Sequence, residues 1–71
     1  MSFNKNRLIA LRKQNNLTLN AVEWGTIIHR SRLKRIEEGK TPNPTFTTVA
    51  KLADFFKVNV ETFRKVRRYD V

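Results

Sequence analysis

The densest chemistry in this chain lies in six residues, where Arg30, Ser31, Arg32, Lys34 and Arg35 crowd together. Four cations at that spacing repel one another along a helix, and a polyanion relieves the repulsion directly. Arginine can bond bidentately to guanine O6 and N7, and serine can bond to several bases. Lysine and arginine also hold phosphates and so set the register of a protein on a duplex. The plainer alternative is a solvated charged face.

No competing chemistry stands out. Ser2 and Ser31 lack a Ser-His-Asp arrangement. His29 is the only histidine and the chain has no cysteine, so no metal site is expected. His29 reads instead as a turn or cap residue, or a phosphate contact. Gly25 and Gly39 are the only glycines, too few for a phosphate-cradling loop. Glu37 and Glu38 are adjacent on a helix and face different ways. Neither enzymatic activity nor a cofactor is expected.

The whole composition agrees with a polyanionic partner. Fifteen Lys and Arg face six Asp and Glu among 71 residues, a formal charge of +9. Nucleic acid is a stronger candidate than an anionic membrane surface, and the order of the helices narrows it to double-stranded DNA. The absence of cysteine removes disulfides and fits an intracellular protein. No apolar run is long enough for a membrane span or a signal peptide. The expectation is one domain over residues 1–71 with a small core, in the cytoplasm of a bacterial host.

Five short helices must position the basic cluster, which makes the fold class all-α. The first runs from about Lys5 to Asn15, with Asn4 as cap and Leu8, Leu11 and Ile9 as its apolar stripe. The second starts after Thr18 and reaches about Trp24, with Val22 inside and Gly25 ending it at positive φ. The third spans about His29 or Arg30 to Glu37, with Leu33 and Ile36 inward and Gly39 as its stop. Pro42 and Pro44 keep the next segment extended. Thr45 caps a fourth helix to about Lys57, whose inward stripe is Phe46, Val49, Leu52, Ala53 and Phe56. Asn59 caps a fifth, with Val60, Phe63 and Val66 inward. Arg64, Lys65, Arg67 and Arg68 make a basic C-terminal end from about residue 64. That end could add phosphate contacts or be a solvated helix terminus.

A second and third helix joined by a tight turn have the order of a helix-turn-helix. On that frame the stretch from Leu11 to Phe63 resembles the Cro and phage-repressor family, also called the xenobiotic-response-element family. The resemblance rests on Leu11-Arg12-Lys13, Leu17-Thr18, Val22, Arg30-Ser31, Leu33, Arg35-Ile36-Glu37 and Gly39-Lys40. It continues through Pro44, Phe46, Val49, Lys51-Leu52-Ala53, Val58-Asn59-Val60 and Phe63. It implies a lambda-repressor-like fold in which Arg30, Ser31, Arg32 and Arg35 read bases. It implies that Lys40, Thr41 and Asn43 grip phosphate, and that Arg12 and Glu37 form a structural salt bridge. It also implies a homodimer on two-fold half-sites, through Phe63 with Val66 or Tyr69.

The sequence departs from that family's pattern near the turn. Leu19 stands where a glutamine braces phosphate, leaving Asn20 as the nearby substitute. Glu23 stands at a small-residue position between the two helices. The family's turn glycine aligns with Ile27, while Gly25 comes two residues earlier, so a shorter or shifted second helix and a longer turn are expected. Trp24, Ile27 and Ile28, with Leu19, are large apolar groups in this region. They either repack the turn or form an exposed patch for a protein partner such as a repressor.

The function expected is a phage or bacterial Cro/repressor-type regulator that binds operator DNA and acts by occupancy. The alternative is a repressor modulator or antirepressor that works by protein-protein binding on the same fold.

Overall fold

The computed structural model describes residues 3–64. It contains α1 (Lys5–Gln14), α2 (Leu19–Thr26), α3 (Arg30–Glu37) and α4 (Phe46–Phe56), then a single 3-10 turn at Val60–Phe63. Among the described residues the only strand-like pairing is an isolated bridge between Phe3 and Arg64. The expected fifth helix is therefore a four-residue turn. Asn59 does cap it, accepting from the Glu61 N–H. It goes no further because Arg64 becomes extended and pairs with Phe3.

That pairing clamps the two ends of the described chain together. The Asn4 N–H donates to the Phe63 carbonyl at 2.6 Å, and the Phe3 and Phe63 rings stack with centroids 5.3 Å apart. Phe63 is fully buried, so it belongs to the core and not to a dimer surface. Val66 and Tyr69, and the basic residues Lys65, Arg67 and Arg68, lie outside the described residues, as does Ser2.

Each helix begins and ends for a local reason. Asn4 makes no side-chain cap for α1; its backbone is committed to Phe63 instead. Asn16, at φ 54°, follows the C-cap Asn15 and turns the chain, a conformation asparagine tolerates. Thr18 caps α2 by accepting from the Ala21 N–H, and Thr45 caps α4 by accepting from the Thr48 N–H. Gly39, at φ 80°, closes α3 as expected.

The end of α2 differs from expectation. Gly25 lies inside the helix, and the left-handed residue is Ile27, at φ 59°. The turn therefore falls at Ile27, the position the resemblance gives to a glycine, and α2 runs to Thr26, past the expected end near Trp24. Thr26 shapes this turn from within: its buried hydroxyl donates to the Val22 carbonyl and accepts from the Ile28 N–H. Gly25 is there for space. A Cβ at that position would run into the ring of Phe55 on α4.

The core is drawn from every element. Leu8, Val22, Leu33, Ile36, Val49, Leu52 and Phe63 are its largest fully buried side chains. Each contributes roughly 1.5–3 kcal/mol of transfer free energy. Ile28 joins them at 5% exposure. Phe46 does not: it is 69% exposed, because the apolar stripe of α4 is one turn longer than the core beneath it.

Candidate nucleic-acid interface

Three devices hold α3 in place. Leu33 and Ile36, each 1% exposed, anchor its inner face. At its C-terminal end, Glu37 takes two hydrogen bonds from Arg12 of α1, at 2.7 Å from Nε and 2.9 Å from Nη2. A third bond runs from Arg12 Nη1 to the Leu17 carbonyl. The side-chain hydrogen bond with Glu37 raises the Arg12 pKa above its ordinary value, with partial burial opposing. At its N-terminal end, His29 caps α3, its Nδ1 accepting from the Ser31 N–H.

Glu23 adds to that end. Its carboxylate accepts from the Arg30 backbone N–H at 3.3 Å and lies 3.7 Å from Arg30 Nη1. An acidic group at a helix N-terminus also suits the helix dipole. Sequence reasoning marked Glu23 only as a departure from a small residue. Its spacing of seven residues before Arg30 was the signal that it could reach over the turn.

The outer face of α3 is almost entirely free of the core. Ser31, Arg32 and Arg35 border a groove whose other wall is the loop carrying Thr41, Asn43 and Pro44. Three of the four expected base-reading side chains, all but Arg30, and two of the expected phosphate-gripping ones thus face one space. Thr45, which the sequence marked only as the cap of α4, and Thr48, which it did not mark, line the same groove. A guanidinium-rich wall opposite small hydroxyl and amide groups can engage a base edge and a backbone phosphate together.

Other expected residues stand apart. Arg30 is exposed but turned back onto α2, where its Nη1 donates to Asn20 Oδ1 at 3.3 Å. Asn20 and Arg30 are thus brought together, at the edge of α2. The Ser31 hydroxyl is bonded to His29 Nδ1 at 2.7 Å. Lys34 is exposed on α3, and Lys40 is exposed and 3.5 Å from Glu38; neither lines the groove.

The expected apolar patch is half present. Trp24 and Ile27 are 86% and 85% exposed, and with Glu23 and His29 they line a second hollow beside the N-terminus of α3. Ile28 is not part of it, because the left-handed backbone at Ile27 turns the next side chain into the core. Leu19 is half-buried and packs against the core as well.

Among the described residues, no group of three or more His, Cys, Asp or Glu could hold a metal ion. No helix among them is long and apolar enough to cross a membrane. The model of a helix-turn-helix domain family matches residues 6–67. No curated protein and no solved structure matches the chain. The matched fold is a DNA-binding one that serves transcription regulators and is typically non-enzymatic. With α2, the Ile27 turn and α3 in the order and packing described, the chain belongs to the helix-turn-helix domain family.

Proposed function

We propose that this chain is a sequence-specific regulator of the phage or bacterial Cro/repressor type, which binds operator DNA and represses by covering it. The observation that carries this reading is the groove shared by Ser31, Arg32 and Arg35 of α3 with Thr41 and Asn43 of the following loop. One surface there offers donors for base edges and for backbone phosphates. The net charge of +9 supplies the long-range attraction.

The reading is tested by fluorescence anisotropy with a labelled intergenic duplex from beside the protein's own gene. Titrations at two salt concentrations, with a scrambled duplex as competitor, separate its parts. Operator binding gives a complex that resists the competitor and weakens steeply with salt. Equal displacement by the scrambled duplex argues against it.

A second reading is favoured by the exposure of Trp24 and Ile27. In it the chain is a repressor modulator or antirepressor, binding another protein through that patch. It predicts a stoichiometric complex that Trp24→Ala abolishes while the fold is kept.

A further inference from the structure

Ile27 is the residue whose placement the core does not explain. Its β-branched side chain sits at φ 59°, a region where such residues are outliers, and it is 85% exposed. Glycine would serve the turn better on both counts. Trp24, 86% exposed, stands beside it in the same hollow. A residue that costs the fold something and adds nothing to the core points to a contact outside the chain.

The surroundings select the kind of contact. His29, another wall of the hollow, is the cap of α3 and is bonded to Ser31. The patch is therefore continuous with the end of α3 that approaches base edges in this motif. Glu23, the one acidic group lining the hollow, is paired with Arg30. A second copy of the chain is disfavoured by +9 on each side. Two side chains also offer on the order of 400 Å², about half of the roughly 800 Å² per partner in a stable interface. What fits is a polyanion carrying small apolar knobs, and in the major groove of DNA those knobs are thymine methyl groups.

Resting on the operator-binding reading above, we propose that Ile27 is a specificity-determining residue that packs against the C5-methyl of a thymine, with Trp24 shielding the contact from water. Glycine at this position would keep the turn and lose the preference.

Deoxyuridine differs from thymidine by that methyl group alone, so it supplies the probe. A target duplex is selected from a random pool by the full 71-residue chain, and each thymidine is replaced singly by deoxyuridine. Affinity is then measured for the wild type, Ile27→Gly and Ile27→Asn. At one position the replacement should weaken the wild type by about fourfold, the value of one buried methyl group. It should leave both variants unchanged there, while Ile27→Gly melts no lower than the wild type. Identical deoxyuridine profiles for the three proteins overturn the thymine contact, and undiminished variant affinity would assign the patch to a protein partner. A pool that yields no enriched sequence overturns operator binding and this contact together. Enrichment followed by identical profiles overturns the contact alone.

Discussion

Glu23 reaches across the turn to Arg30 twice, holding its backbone N–H at 3.3 Å and standing 3.7 Å from its guanidinium. The same carboxylate therefore steadies the first turn of α3 and draws one of its arginines toward α2. Replacing it by alanine should lower stability by about 0.5–1 kcal/mol, the usual scale for a cap and an exposed ion pair. It should also tighten binding to any duplex at low salt, since a negative charge is removed and Arg30 is released. Thermal unfolding and a salt titration of DNA affinity check the two halves.

Arg12 and Glu37 are three-quarters or more enclosed, with side-chain exposures of 18% and 11%. Arg12→Ala strands a carboxylate and should destabilise the domain by about 2–3 kcal/mol, below the 3–5 kcal/mol of a fully buried pair. The Arg12 pKa is raised on folding, so its contribution is present below the unfolded value and is lost only as strong alkali passes the folded one. The cost of the substitution should thus be constant between roughly pH 7 and pH 9. Urea unfolding at both pH values checks this, and Arg12→Met with Glu37→Leu should recover much of the loss.

Arg32 and Arg35 share the groove with the loop, whereas Lys40 stands outside it. Arg35→Ala and Arg32→Ala should each weaken specific binding by about 1–3 kcal/mol and relax preference at one base pair. Lys40→Ala should weaken all sequences alike and reduce the salt slope by about one. Competition against single-base variants of the target separates these outcomes, and none of the three should change the melting temperature appreciably.

Gly25 touches the Phe55 ring with no room for a Cβ. Gly25→Ala should therefore destabilise the fold by about 1–3 kcal/mol although alanine is the better helix former. Adding Phe55→Leu should restore part of the loss, as read in a double-mutant cycle by chemical denaturation.

The sequence made α3 legible because it is bimodal. Leu33 and Ile36, three apart, could only face inward, which left the cations outside. Thr18, Thr45 and Asn59 were readable as caps from a hydroxyl or amide before an apolar run, but Asn4 fits the same pattern and makes no side-chain cap, because its backbone is drawn to Phe63. Gly25 misled for a physical reason: glycine serves both positive φ and close approach, and only the position of Phe55 decides between them. Ile28 could not be placed because its burial depends on the backbone of Ile27, which a β-branched residue does not advertise. Phe46 obeyed the periodicity but outran the core, a limit set by neighbouring elements and not by the helix itself. Arg30 looked equivalent to Arg32 and Arg35 until Asn20 and Glu23 were seen to claim it.

The division of α3 into two anchors and a free outer face reaches beyond this one domain. Because Arg32 and Arg35 support nothing in the core, their replacement leaves the scaffold standing. On the operator-binding reading, descendants of this chain can therefore exchange one recognition vocabulary for another in single steps, without passing through an unfolded ancestor. The frame is inherited; the words it spells are free to drift.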